Sequence, residues 1–149
     1  MPDTLRLAEM MVIDYHWLRP DPVVQDIKTG KVASDHPHIW QLTHLGVAAA
    51  LEGKGLPFID QVSRIIWDGS VDGRNEGDHL KNAATRTDVD LGELEAPITA
   101  NRAKYNALVE KKHAVLQAAG HWGVLSMVFK GAPFFGQDRI RHVLLRPTG

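Results

Sequence analysis

Apolar residues recur along most of the chain at the three- and four-residue spacing of an amphipathic helix. In the clearest stretch, Phe58, Val62, Ile65 and Ile66 stand at i, i+4, i+7 and i+8, which places them on one helix face. The pattern predicts a series of helices, which begin near Asp3 and then cover Pro37 to Glu52, Leu56 to Asp68, Asn75 to Arg86, Asp90 to about Ala100, and Asn101 to Ala119.

Local signals set the ends of these helices. Asp35 offers an N-cap carboxylate two residues before Pro37, and Gly53 ends that helix. Pro97 limits the short fifth helix, and Gly120 fits the C-terminal cap of the long sixth one. The residues predicted to face inward are Leu5, Leu7 and Ala8 in the first helix, Ile39, Leu42, Leu45, Val47 and Ala48 to Ala50 in the second, and Tyr105, Leu108, Val109, Val115 and Leu116 in the sixth.

The segment between the first two predicted helices lacks the helical spacing of apolar residues. The run from Val12 to Trp17 mixes apolar and polar residues in a way compatible with a short strand. Pro20 and Pro22 then favour extended, irregular backbone. We therefore expect an ordered loop ahead of the second helix.

The last thirty residues form another pattern. An apolar run from Leu125 to Phe129 is followed by Lys130-Gly131, a second apolar run to Phe135, and a polar turn that opens a helix. This order predicts strand, hairpin, strand and helix. The fold class predicted for the whole chain is mostly α with a C-terminal ββα unit, that is α+β, in a single domain 1–149 with a helical part of about 1–119 and a ββα part of about 120–149.

Two short motifs in that part carry a resemblance to a known family. Gly123-Val124-Leu125-Ser126 precedes the first strand, and Gly136-Gln137-Asp138-Arg139 opens the helix. These two motifs resemble those of the DsbA-like branch of the thioredoxin superfamily, which includes 2-hydroxychromene-2-carboxylate isomerases and kappa-class glutathione transferases. The resemblance implies a partial thioredoxin-like fold with the DsbA-type helical insertion, glutathione as cofactor, and thiol-mediated isomerisation or conjugation of a small aromatic or hydrophobic substrate.

The resemblance covers only the later part of that architecture. In the family, a strand–helix–strand segment comes first and carries the catalytic Ser or Cys, and we expect this chain to lack it. Two explanations stay open, namely an N-terminal truncation, natural or cloned, and a missing part that another chain supplies. The sequence therefore offers no catalytic residue.

The family's glutathione-binding residues carry over to three positions. In glutathione-binding relatives, the residues matching Gln137 and Asp138 hold the γ-glutamyl end, and the backbone matching Val124 pairs with the cysteine moiety. Capping of the helix is the simpler interpretation of Asp138, and the two roles do not exclude each other. Leu125 stands where the family has a cis-proline, so this peptide is expected to be trans and glutathione binding to be weak.

Composition limits the remaining function classes. The chain has 149 residues, a net charge of −1 and no cysteine. The balanced charge gives no field for nucleic acid or an anionic membrane, and no apolar run approaches the roughly 18 residues of a membrane span. The start does not resemble a signal peptide, so a cytoplasmic protein is expected. Without cysteine the chain forms no disulfide and runs no thiol–disulfide exchange of its own.

Other candidate sites are weaker. Eight histidines invite a metal hypothesis, but His38 and His44 are six residues apart, a spacing that predicts different helix faces. We expect no metal site. The run from Asp68 to Gly73 superficially resembles a calcium-binding loop. It lacks the closing bidentate glutamate of that motif, and we interpret it as a turn.

Two functions from different classes remain. The first is a glutathione-dependent isomerase or transferase, impaired in this chain. The second is a non-catalytic helical scaffold that forms a homodimer, because two strands alone make a marginal sheet and an apolar edge invites a second chain.

Overall fold

The computed structural model describes residues 2–16, 20–26, 29–120, 123 and 126–145, without the side chains of residues 2, 3 and 137. The described part of the chain is mostly helical, with two small antiparallel sheets. Its helices are α1 Pro2–Met11, α2 Pro37–Leu51, α3 Gly55–Trp67, α4 His79–Thr85, α5 Leu91–Ala100, α6 Arg102–Ala118 and α7 Ile140–Leu144, with a 3-10 turn at Gln137–Arg139. Its strands are β1 Gln25–Asp26, β2 Lys31–Val32, β3 Ser126–Phe129 and β4 Ala132–Phe135.

The chain divides into two compact units, residues 1–105 and residues 106–149. The core of the first unit lies where α2 packs on α3 and α5, and α4 on α3 and α5. Its buried members are Leu45, Ala48, Ala49, Phe58, Val62, Ile65, Leu80, Ala83, Ala84, Val89, Leu94, Ile98 and Tyr105. Alanine pairs in α2 and α4 let each of these helices approach its neighbours α3 and α5 closely, while Phe58, Leu45 and Leu94 fill the core.

The α2–α3 connection shows how local sequence sets the packing. Gly53 adopts φ +75°, and the amide of Lys54 donates to the carbonyl of Ala49 at 2.8 Å, which closes the end of α2. α3 begins at Gly55, slightly earlier than predicted. A Cβ at Gly55 would lie 2.9 Å from the Cβ of Ala50, so glycine allows the two helices to meet at this point.

Other predicted helix ends require correction. The N-cap of α2 is His36 and not Asp35, and no side chain caps the helix. α4 begins at His79 rather than Asn75, because the preceding turn places Gly77 at φ +56°. By contrast, α5 ends at Ala100 as predicted, with Pro97 inside it, and Asp90 caps it by accepting a hydrogen bond from the amide of Glu93 at 3.1 Å.

The inward positions are confirmed in part. Ala8 of α1 is buried, but Leu5 and Leu7 are exposed. In α6, Tyr105 and Val109 are buried as predicted. Val115 is 59% exposed, so its assignment to the inward face is wrong.

The segment before α2 is held by specific contacts rather than by a strand at Val12 to His16. The amide of His16 donates to the carbonyl of Trp67 at 2.7 Å, and the rings of Tyr15 and Trp67 stack 5.6 Å apart. Further on, a terminal nitrogen of Arg74 donates to the carbonyl of Pro20 at 3.0 Å. These contacts anchor the predicted loop at two points to the end of α3 and the residues after it.

In the second unit, β3 and β4 form a hairpin with the predicted turn. Lys130 and Gly131 have φ of +49° and +79°, the pair of positive values that a two-residue type I′ turn requires. Ala132 pairs with Phe129, and Pro133 pairs with Val128. Because hydrogen-bonded and non-hydrogen-bonded pairs alternate from the turn, residue 133 directs its backbone nitrogen to the outer side of β4. Proline has no N–H to offer there, so this outer edge is a poor template for another strand.

Candidate functional site

The predicted glutathione-binding residues Gln137 and Asp138 lie in one turn directly after β4. Gly136 reverses the chain with φ +97°, and residues 137–139 form a 3-10 turn that leads into α7. The amide of Arg139 donates to the carbonyl of Gly136 at 3.1 Å. This compact turn presents Asp138 as an exposed side chain.

The carboxylate of Asp138 makes two close approaches. One oxygen pairs with Nε of Arg139 at 3.2 Å, and the Asp138 side chain remains 71% exposed. A Cβ added at Gly136 would lie 2.5 Å from the other oxygen, so the carboxylate folds back over the glycine. The sequence Gly136-x-Asp138 therefore fixes where this negative charge sits.

The interpretation of Asp138 as a helix cap is wrong. Arg139 occupies the N-cap position of α7, and no side chain caps that helix. Asp138 lies one residue earlier, inside the 3-10 turn, where its carboxylate pairs with a neighbouring guanidinium. The Asp138 side chain is thus exposed to solvent, and no backbone amide of the described residues donates to it.

Two of the predicted positions have no described side-chain structure. The backbone of Gln137 belongs to the 3-10 turn, and its side chain is outside the description. Val124, with the neighbouring Leu125, lies outside the described residues, as do His121 and Trp122. The structure thus brings Gln137 and Asp138 together, and the predicted role of Val124 stays a prediction.

The first unit contains a cleft that the sequence reasoning missed. It has a volume of about 560 Å³ and opens between α2 and the α5–α6 junction. Its lining consists of Pro37, His38, Gln41, His44, Leu45, Glu95, Ile98, Thr99 and Arg102. We name this space the α2–α5 cleft.

Helical spacing explains why these residues meet. His38, Gln41 and Leu45 stand at i, i+3 and i+7 on α2. Glu95, Ile98, Thr99 and Arg102 stand at i, i+3, i+4 and i+7 along α5 and the first residue of α6. His38 and His44, predicted on different faces of the helix, both line this cleft.

The floor of the α2–α5 cleft is apolar and aromatic. His44 is only 2% exposed, with its ring 5.7 Å from that of Trp40 and 6.3 Å, edge-on, from that of Tyr105. Leu45 and Ile98 complete the buried surface. Such a floor suits the flat or hydrophobic part of a small molecule.

The rim of the same cleft is charged. Glu95 and Arg102 are both exposed, with opposite charges two helical turns apart. Asn101 breaks the helix between them, and its side-chain oxygen accepts a hydrogen bond from the amide of Lys104 at 3.0 Å. The break places Arg102 at the start of α6, beside the cleft. In the sequence, the polar residues 95, 99 and 102 stand at i, i+4 and i+7. This spacing could have indicated the polar rim of the cleft.

Over the described ranges, no three His, Asp or Glu side chains converge as a metal ligand set. No helix in the same ranges is long and apolar enough to cross a membrane.

Comparison of the chain with protein-family models, with curated proteins and with solved structures finds no match. The functional argument therefore depends on the residues themselves.

Proposed function

We propose that the chain derives from the glutathione-dependent branch of the DsbA-like thioredoxin superfamily and retains a weak glutathione site of an isomerase or transferase. The observation that carries this proposal is the β3–β4 hairpin followed by the Gly136 turn, which presents the exposed carboxylate of Asp138. The same succession of strand, hairpin, strand and helix is what the resemblance implies for the C-terminal half of a thioredoxin-like fold.

The chemistry of Asp138 suits the γ-glutamyl end of glutathione. That end carries an ammonium and a carboxylate, and an exposed aspartate offers the ammonium a charged acceptor. Arg139 at 3.2 Å already pairs with one carboxylate oxygen. An ammonium must share Asp138 with this guanidinium, which supports the expectation of weak binding.

The proposed role of Val124 rests on resemblance alone. Its backbone would pair with the cysteine moiety of glutathione if the following peptide were cis. Leu125 follows it, and a non-proline cis peptide costs about 2.5–4 kcal/mol. We therefore expect the contribution of this backbone to be small.

Bound glutathione would supply a thiolate that adds to a substrate double bond, permits rotation about the resulting single bond, and leaves again. The chain's own part is to hold the tripeptide by its γ-glutamyl end and to accommodate the substrate.

Calorimetric titration with reduced glutathione tests the site. We expect millimolar affinity, which corresponds to only about 4 kcal/mol of binding free energy, and loss of that signal in Asp138→Asn. Asp72→Asn is the matched control, because Asp72 is an exposed aspartate in the first unit. Equal affinities in wild type and Asp138→Asn would overturn the assignment of Asp138.

A second candidate function is a non-catalytic homodimeric scaffold. One observation favours it: among the described residues, β3 pairs only with β4. Pro133 makes β4 the poorer edge, so β3 is the strand at which a second copy would add. This scaffold does not need the glutathione site, and the two proposals fail separately.

A further inference from the structure

A second cleft in the first unit, distinct from the α2–α5 cleft, combines two guanidinium groups and one carboxylate with neutral hydrogen-bonding side chains. It lies between α3 and α4 and has a volume of about 340 Å³. Its lining consists of Gln61, Arg64, Ile65, Asp68, Ser70, Val71, His79, Asn82 and Arg86. We name it the α3–α4 cleft.

The cleft is built from two matched helix faces. Gln61, Arg64 and Asp68 stand at i, i+3 and i+7 from α3 to its C-cap. His79, Asn82 and Arg86 have the same spacing from α4 to its C-cap. Because α3 packs against α4, their polar residues face each other across the opening.

A chain of hydrogen bonds fixes both arginines. Nε of Arg86 donates to Oε1 of Gln61 at 2.6 Å, and Nε2 of Gln61 donates to Oδ2 of Asp60 at 3.0 Å. Asp60 also accepts from Arg64, whose Nε lies 3.0 Å and whose terminal nitrogen lies 3.3 Å away. One carboxylate thus anchors two guanidinium groups, one directly and one through a glutamine.

The charges of the two arginines differ in how they are balanced. Arg64 is neutralised by Asp60, and its side-chain hydrogen bond holds the pKa of Asp60 below the ordinary value. Arg86 binds a neutral amide, and within the described part of the chain no carboxylate lies at ion-pairing distance from it. Its Nε is held while its terminal nitrogens have no hydrogen-bond acceptor among those residues.

The acidic residues in the cleft and beside it, Asp68 and Asp60, already accept hydrogen bonds. Oδ1 of Asp68 accepts from the amide of Ser70 at 2.9 Å and from its hydroxyl at 2.6 Å. Asp60 is shared by Arg64 and Gln61. Arg86 is therefore the guanidinium of the lining whose terminal nitrogens are available to an oxyanion, whereas Asp60 and Asp68 have oxygens that already accept hydrogen bonds.

We propose that the α3–α4 cleft binds an oxyanion, a phosphate or carboxylate group of a small ligand, with Arg86 as the principal contact. A guanidinium held at Nε presents its two terminal nitrogens as a fork, which matches two oxygens of such a group. Asn82 and His79, one turn and two turns before Arg86, supply further donors. Arg64, on the facing helix, is already paired with Asp60 and adds no unbalanced charge.

Nuclear magnetic resonance titration of the full chain tests this site with two probes, inorganic phosphate and succinate, against sodium chloride at matched ionic strength. We expect saturable shifts of the Arg86 Nε–H signal and of the amides near Gln61 and Asn82 with at least one probe. The probe that binds more tightly identifies the group as phosphate or carboxylate. Shifts that match those of sodium chloride for both probes would overturn the proposal.

Variants of Arg86 distinguish hydrogen bonding by the two terminal guanidinium nitrogens from the effect of the positive charge alone. Arg86→Gln should weaken binding by about tenfold, and Arg86→Lys should restore only a small part because it keeps the charge without the fork. Arg102→Gln is the matched control, since it removes an exposed arginine of the other cleft. Unchanged affinity in Arg86→Gln, with folding verified by its circular dichroism spectrum, would contradict the assignment, as would an equal loss in Arg102→Gln.

Discussion

The helical part of the first unit and the hairpin part of the second are stabilised to different extents by their own residues. Between α2 and Tyr105, a continuous set of apolar side chains is buried, and Phe58, Leu45 and Leu94 are at most 1% exposed. Between Ser126 and Leu145, none of the described side chains is fully buried. The hairpin is well formed in register but has little core of its own.

This difference shows that a segment can have well-defined local geometry and still contribute little to stability. A type I′ turn and a four-residue ladder specify the hairpin geometry, yet two strands in water are at best marginal without a third strand or a packed face. The helices, by contrast, bury enough apolar surface to hold each other. We therefore expect changes in the helical part to act on folding, and changes in the hairpin part to act on partners and ligands.

Removing one aromatic ring from each part should show the largest contrast. Phe58→Ala leaves a cavity in the core and should lower the free energy of unfolding by about 3–5 kcal/mol. Phe135→Ala removes a ring that is 47% exposed and should cost less than about 1 kcal/mol. Urea unfolding at one protein concentration measures both. Similar losses in the two variants would remove the distinction between the parts.

Self-association should depend on the hairpin. Sedimentation equilibrium at micromolar concentration should give a mass near twice the 16.5 kDa of the chain. Val128→Lys, in the middle of β3, should raise the dissociation constant by about tenfold, or about 1.4 kcal/mol. Ile59→Lys, a similarly exposed position on α3, is the control and should leave it unchanged. A wild-type chain that sediments as a monomer would rule out the homodimer.

Replacing each of the two aspartates near helix starts should show the same contrast, with the larger loss of stability in the helical part. Asp90→Ala removes the cap of α5, whose hydrogen bond to Glu93 is 3.1 Å long, and should cost about 1 kcal/mol of unfolding free energy. Asp138→Ala removes an exposed carboxylate that caps nothing and should cost no more than a few tenths. Thermal unfolding of both variants compares them. A loss at Asp138 as large as that at Asp90 would restore the capping role.

The smallest effect concerns acid stability. The side-chain hydrogen bond from Arg64 holds the pKa of Asp60 below its ordinary value of 3.8. The stabilisation is therefore present above that value and is lost as the pH falls through the lowered pKa of the folded state. Asp60→Asn should reduce stability slightly at neutral pH and flatten its decline in acid, whereas Asp72→Asn should follow wild type. Parallel acid profiles for wild type and Asp60→Asn would contradict this.

Sequence periodicity predicted the parts of the fold that one element specifies by itself. The apolar face of α3 is correct because Phe58, Val62 and Ile65 form a complete stripe. The hairpin turn is correct because Lys130-Gly131 can adopt two positive φ values. The β1–β2 pair was missed, since its four residues are exposed and lack an alternating pattern.

Features that join distant segments could not be predicted in this way. His44 is enclosed by Trp40 on its own helix and by Tyr105, which is sixty-one residues away in sequence. The hydrogen bond between Gln61 and Arg86 likewise requires α3 and α4 to be packed first. Composition and spacing identify such residues as polar, but only tertiary packing determines which of them meet.

The most direct test of the proposed function is a glutathione titration followed residue by residue by nuclear magnetic resonance. If Asp138 holds the γ-glutamyl end, the amides of Gly136 to Arg139 should shift progressively at millimolar glutathione, and Asp138→Asn should abolish these shifts. Oxidised glutathione and free glutamate, which carry the same γ-glutamyl or α-amino acid groups, give the comparison for specificity. Absence of shifts at Gly136 to Arg139 at the highest soluble concentration of glutathione would contradict the proposal. The same shifts in Asp138→Asn would also contradict it.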